Sequence, residues 1–196
     1  VRQYSLTLTE DILERLNPDA VHLESLNFLP FGHGFSNPKV LTPITPWCSF
    51  LMGLCMCDHC IEVASADGLD GEALRSDVAR YLNAELPKLP SQAEAVQQVT
   101  PTRLTAAFGG QLRAFLEVRS GIASSLFEDV VRTIRSHGDI AVQADHLDQD
   151  DELALGLSVE RVAPLIDQSV TGPNPDAIKP MKRRLTTGAK MIVQVS

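Results

Sequence analysis

Apolar residues recur along this chain at two different spacings, and the alternation between them sets the expected architecture. Within Arg2–Leu16 they fall at Leu8, Ile12, Leu13 and Leu16, the stripe of an amphipathic helix. Thr9, followed by Glu10 and Asp11, reads as an N-cap, and Asn17-Pro18 reads as the stop. Ala20–Glu24 then switches to a period of two, as a short strand does. Asn27–Phe50 is rich in proline and glycine and has neither period, so it predicts a long surface loop. Helical spacing returns over Cys57–Ala66, Asp70–Leu86, Thr102–Val118 and Ile122–His137, with Gly138 as a cap. Further strands are expected at Asp139–Asp145, Ile166–Thr171 and Ala189–Ser196. A short helix is expected at Ser158–Leu165 and another at Asp176–Thr187.

Strands that alternate with helices imply crossover connections and a parallel sheet. No Gly-x-Gly-x-x-Gly follows any of these strands, and Gly109-Gly110 falls inside a helical pattern, so a nucleotide-binding open sheet loses its main signature. The remaining expectation is a (β/α) barrel with four of its eight strands in this chain. Residues 1–196 would form a single, partial barrel domain, with a loop and cysteine-knot insertion at about 27–66. The missing strands would precede and follow the chain, or come from another one.

Composition narrows the partners. Of 196 residues, 44% are hydrophobic and 21% charged, which suits a packed core. With 25 acidic against 17 basic residues the net charge is −8, so nucleic acid is an unsuitable partner. No apolar run reaches the roughly 20 residues of a membrane span, and no leader is evident near Val1, which points to a cytoplasmic protein without a membrane partner.

Alternation assigns the strand faces. Val21, Leu23, Ile140, Val142 and Ala144 would meet helices, leaving His22, Glu24, Gln143, Asp145, Ile192 and Gln194 on the other face. Glu24 and Asp145 each end a strand, where barrel enzymes place reactive groups. Two such carboxylates suit glycosidic hydrolysis, in which one acid protonates the leaving oxygen and the other is base or nucleophile. Asp145 has a plainer reading too, as a solvated strand-exit acid ahead of the Asp148–Glu152 run. In the following loop, Asn27 and His33 would contact substrate. His33 sits between Gly32 and Gly34, and Phe31 and Phe35 could stack on a sugar face; a tight turn with a surface histidine is the alternative. Trp47 is either a sugar platform or an anchor for the loop. With His22, Gln143 and Gln194, these residues make up the expected carbohydrate contacts.

All four cysteines lie within Cys48–Cys60, as Cys48 followed by Cys55-x-Cys57-x-x-Cys60. A disulfide-stapled domain would distribute them over the fold. Three thiolates so close can converge on a structural Zn²⁺, with Cys48, His59 or His33 as fourth ligand, or can be buried free thiols at a helix start.

Val-His-Leu-Glu24-Ser, Phe31-Gly-His33-Gly-Phe, Leu-Cys55-Met-Cys57-Asp-His59-Cys60 and Gly68-Leu-Asp70 together resemble a group of uncharacterised bacterial (β/α)8-barrel proteins described as glycoside hydrolases. The cysteine run is also similar to the knot of zinc-containing barrel β-galactosidases, whose fourth, upstream cysteine Cys48 would match at a shorter spacing. The resemblance covers about residues 10–196 and implies the middle and later part of a TIM barrel. It places Glu24 near the strand that carries the acid/base, with a partner carboxylate on a later strand. The expected function is therefore carbohydrate-active hydrolysis by carboxylate acid/base chemistry. The alternatives are a non-catalytic carbohydrate-binding or zinc-stabilised interaction module, or another hydrolase or isomerase on the same scaffold. The sequence leaves the oligomeric state open.

Overall fold

A computed structural model describes residues 1–31, 44–95, 99–145, 156–171, 185 and 188–193. The elements in chain order are α1 (Arg2–Leu16), β1 (Ala20–Leu23), α2 (Pro46–Met52), α3 (Asp58–Ala66), α4 (Gly71–Glu85), α5 (Gln92–Ala95) and α6 (Pro101–Ser136). They continue with β2 (Ala141–Asp145), α7 (Val159–Val162), a 3₁₀ turn (Ala163–Leu165), β3 (Gln168–Thr171) and β4 (Lys190–Val193). The chain divides into two compact units: Val1–Asn27 with Ser120–Ser196, and Phe28–Arg119.

The first unit holds a four-stranded sheet in the order β1-β2-β3-β4, every neighbour parallel. The register pairs His22 with Gln143, Gln143 with Gln168, and Gln168 with Lys190, so these four polar residues form one row on one face. The opposite face carries Leu23, Val142, Ala144 and Ser169, all buried, and in the second half of α6, within the same unit, Phe127, Val130, Val131 and Ile134 are buried too. Removing one such large side chain from water is worth about 1.5–3 kcal/mol, so this face sets the register. The entry end of the sheet is fixed by polar contacts. Asp167 accepts hydrogen bonds from the backbone N–H of Val142 (2.7 Å) and from Arg135 (2.6 Å), while Arg135 also donates to the carbonyl of Ile140 (2.7 Å).

The sheet does not close into a (β/α)8 barrel. Among the described residues β1 pairs only with β2 and β4 only with β3, and the face that a barrel would fill is open: His22 and Lys190 are exposed, and Ile192 is 41% exposed. Closure needs strands that continue the hydrogen-bond ladder around a ring. The alternation of strand and helix is retained, and with it a mixed α/β fold with parallel strands.

Local departures have local causes. Thr9 is not a cap: α1 begins at Arg2, and the Thr9 hydroxyl donates to the Ser5 carbonyl one turn back (2.8 Å). Asn17 takes the left-handed conformation (φ 44°) and ends the helix as expected. Only Leu13 of the α1 stripe is buried; Leu8, Ile12 and Leu16 are exposed. The expected loop to Phe50 contains α2, capped by the Thr45 hydroxyl, which accepts from the Cys48 N–H (3.1 Å). Two helices run through Pro101–Ser136, as expected, but they meet at a kink at Phe108-Gly109 and not between Val118 and Ile122; Gly109 has φ 59° and ψ −149°, a conformation open to glycine alone. The helix expected at Asp176–Thr187, the acidic run Asp148–Glu152, His33 and Gln194 lie outside the described residues, Leu185 excepted.

The second unit is built around Trp47, which is 1% exposed. Its ring stacks on Phe50 (5.8 Å between centroids), meets Tyr81 edge-on (6.5 Å) and Phe108 at a tilt (6.2 Å), and the Arg103 guanidinium lies 5.2 Å from its centroid.

Candidate functional site

Two clusters of chemically capable side chains are present, one in each unit. In the first, the register that pairs Leu23 with Ala144 brings the exits of β1 and β2 side by side. A ring nitrogen of His22 and carboxylate oxygens of Glu24 and Asp145 all lie within 4.8 Å of one another, a donor set that could hold a metal ion. His22 Nε2 is 3.7 Å from Asp145 Oδ2. Glu24 and His22 are exposed and Asp145 is half-buried, so the group is open to solvent on the glutamate side. Ser25, directly after Glu24, has φ 60°, a strained backbone for a residue with a side chain, at the point where the chain turns away from the sheet.

The polar row extends the group along the same face. Gln143 Nε2 donates to Gln168 Oε1 (2.9 Å), which fixes both amides. Gln168 was not singled out by the sequence reading: alternation puts it on one face with apolar Ile166 and Val170, and only the register sets it beside Gln143. Asn27 is half-buried, and its Oδ1 receives no hydrogen bond from the described residues. Trp47 is buried among Phe50, Tyr81 and Phe108, which favours the anchor among the two roles the sequence left open.

In the second unit, the chain leaves α2 at Gly53, whose backbone passes so close to Phe31 that a Cβ there would sit 2.9 Å from the Phe31 nitrogen. It then delivers Cys55, Cys57 and Cys60 to one point. Their sulfurs lie within 4.8 Å of one another, with Cys57–Cys60 at 3.7 Å and Cys60–Cys55 at 3.8 Å. The local reason is helix geometry: Cys57 is the N-cap of α3 and Cys60 is in its first turn, so the Cys-x-x-Cys spacing folds the two thiols together. Cys57 is exposed, Cys55 half-buried and Cys60 buried. All three are free thiols.

The electrostatics of this cluster are those of groups that cannot all ionise unaided. The Cys60 amide, facing Cys57 from the first turn of α3, holds the Cys57 thiol below its ordinary value. Burial pushes the Cys60 thiol up to about 12, reinforced by its contacts with Cys57 and Cys55. A bound dication supplies the opposite charge that three thiolates at this separation need, and soft sulfur donors suit Zn²⁺. The residues present therefore fit a metal. Cys48 does not join them: it is buried on α2, beside Trp47 in sequence, and stands outside the group, as does exposed His59. The structure thus supplies three protein ligands among the described residues.

One buried cation of the same unit escaped the sequence reading. Arg119, on α6, is 0% exposed, and among the described residues none of its three nitrogens has a hydrogen-bond partner. Its guanidinium lies 4.3 Å from the Phe28 ring centroid. Burial lowers its pKa to about 10, an effect that the charges of Cys55 and Cys60 oppose. No sequence signal marks it, since arginine within a helical pattern ordinarily faces water.

Comparison of the chain with protein-family models, with curated proteins and with solved structures returns no match. The likeness to barrel glycoside hydrolases accordingly rests on the motifs that carry it. The cysteine run is the part with a structural counterpart, a cluster compatible with a metal site. No helix among the described residues is long and apolar enough to cross a membrane.

Proposed function

We propose that the protein hydrolyses glycosidic bonds at the carboxyl edge of its parallel sheet, with Glu24 and Asp145 as the reacting pair. The observation that carries this reading is the approach of their carboxylate oxygens to within 4.8 Å at the exits of adjacent strands. Retaining glycosidases hold their carboxyl groups about 5–5.5 Å apart and inverting ones about 6.5–9.5 Å, so a separation this short supports double displacement.

In that scheme Asp145, half-buried and beside His22, attacks the anomeric carbon while Glu24, on the solvent side, protonates the departing oxygen. Glu24, now a carboxylate, then takes a proton from water, whose oxygen displaces Asp145; this releases the Asp145 carboxylate and restores the protonated Glu24. The row His22, Gln143 and Gln168 offers donors and acceptors for the sugar hydroxyls.

The cysteine cluster has a separate role in this proposal. Cys55, Cys57 and Cys60 would hold a structural Zn²⁺, which would tie the start of α3 to the segment leaving α2. The metal supplies cross-linking, not a reaction step.

A panel of chromogenic glycosides is the direct test. Turnover by the wild-type chain, lost in Glu24→Gln with unchanged melting temperature, is the expected result. Saturable sugar binding without turnover would replace the enzyme by a carbohydrate-binding module, and absence of both would overturn the reading.

A further inference from the structure

Two thiols can exchange with an outside disulfide only if one of them is reachable from solvent and the other can reach the first. Buried thiols are inert towards external reagents, and a protein disulfide forms by attack of one sulfur on another through a mixed disulfide. Cys57 and Cys60 meet both conditions. Cys57 is exposed at the N-cap of α3, Cys60 is buried in the first turn of the same helix, and their sulfurs are 3.7 Å apart. A disulfide holds its sulfurs about 2.05 Å apart, so closure asks for an approach of less than about 2 Å. Cys55 stands 3.8 Å from Cys60 and is half-buried, so an incoming molecule meets Cys57 first.

We propose that Cys57 and Cys60 form a thiol–disulfide exchange centre for open-chain disulfides, with Cys57 as the attacking sulfur and Cys60 as the resolving one. Cys57, as thiolate, attacks one sulfur of the incoming disulfide. A mixed disulfide forms on Cys57, the incoming S–S bond breaks, and one half departs as a thiolate. Cys60 then gives up its proton and its sulfur attacks that of Cys57, which breaks the mixed disulfide and releases the second half. The two cysteines lose two electrons and two protons between them. The substrate disulfide gains both and leaves as two thiols. An excess of reducing thiol runs the same steps backwards and restores the pair.

This activity goes beyond the structural-zinc reading and does not depend on it. A metal binds thiolate sulfur through the electron pair that attack on a disulfide requires. A dication on Cys55, Cys57 and Cys60 therefore keeps exchange off, and joining Cys57 to Cys60 removes two of its three ligands. Cys48, buried on α2 and outside the group, takes no part in either state.

The test exposes the whole chain, in excess chelator, to oxidised glutathione and reads the products by intact mass and by peptide mapping after alkylation. Wild type should lose two hydrogens in mass and retain no glutathione, with Cys48 and Cys55 still alkylated once the product is unfolded. Cys60→Ser should stop at a lasting glutathione adduct on Cys57, and Cys57→Ser should lose the reaction. Cys55→Ser should still close the Cys57–Cys60 bond. A wild-type bond that includes Cys55, a lasting adduct on wild-type Cys57, or four thiols that stay free would each overturn the proposal, and none of these readings needs a variant to fold. Adding Zn²⁺ before the disulfide tests the metal reading separately. Suppressed exchange supports both readings, whereas exchange that proceeds unchanged overturns the metal site and supports the exchange centre by itself.

Discussion

Leu23 and Ala144 are register partners in neighbouring parallel strands, and this pairing is what sets Glu24 beside Asp145. Each carboxylate follows or ends its strand on the face shared by His22 and Gln143, so their proximity depends on the ladder and not on the loops beyond it. Two groups that act as a unit should not lose activity additively. Glu24→Gln and Asp145→Asn should each lower kcat on a cleaved glycoside by about 1,000-fold, and the double variant should be scarcely worse than either single one. Additive losses, measured by steady-state kinetics, would show that the two acids act separately.

The faces of β1 and β2 were legible because period-two alternation is a local property: Leu23, Val142 and Ala144 are buried, while His22 and Gln143 share the other side. Closure of the sheet was not legible. Alternating strands and helices specify parallel neighbours, but whether β1 and β4 find further partners depends on chain pairings that no short pattern encodes. The α1 stripe makes the same point. Its spacing is helical, yet Leu8, Ile12 and Leu16 are exposed, because periodicity gives the stripe and not its cover. In α6 the break was expected between Val118 and Ile122, but the kink is at Phe108-Gly109, and Phe108 packs against Trp47 and Tyr81. The three clustering cysteines were visible from spacing alone. Arg119 was not, since only tertiary packing makes an ordinary helical arginine a buried one.

Asp167 lies at the entry end of β3, remote in role from the strand exits that carry Glu24 and Asp145. It accepts from the Val142 N–H and from Arg135. Asp167→Ala would leave the Val142 N–H without its side-chain acceptor, and both Arg135 and Asp167 are partly solvated, which limits the loss. The expected destabilisation is about 1–3 kcal/mol. Urea unfolding followed by circular dichroism would measure it, and kcat per folded molecule should be unchanged.

Trp47 is the chain's one tryptophan and is almost wholly enclosed. Its emission therefore reports on the Phe28–Arg119 unit and should be blue-shifted in the native protein. Trp47→Ala removes a large side chain from contacts with Phe50, Tyr81 and Phe108, and should cost about 3–5 kcal/mol. Trp47→Phe keeps an aromatic ring there and should cost distinctly less. If Trp47 were a sugar platform, the alanine variant would instead lose ligand affinity with little loss of stability; paired calorimetry and sugar-binding titrations separate the two outcomes.

Asp129 links α1 to α6: it pairs with Arg132 one turn along its own helix (2.7 Å) and with Arg2 at the start of α1. The hydrogen bond from Arg132, helped by Arg2, holds its carboxyl below the ordinary aspartate value against the opposing effect of burial. The unfolded chain has no such partners and titrates near pH 3.9. A depressed native value means that the unfolded state binds the proton more readily in acid, so the pairing stabilises the fold above about pH 4 and is lost as pH falls through the native value. Because the pair is largely solvated, the effect is at most about 1 kcal/mol and shrinks in salt. Melting curves from pH 7 down into acid should show wild type losing more stability than Asp129→Asn below about pH 4, with the gap between them closing as pH falls through the native value. A wild-type curve parallel to that of Asp129→Asn throughout would show that Arg2 and Arg132 contribute nothing through this carboxylate.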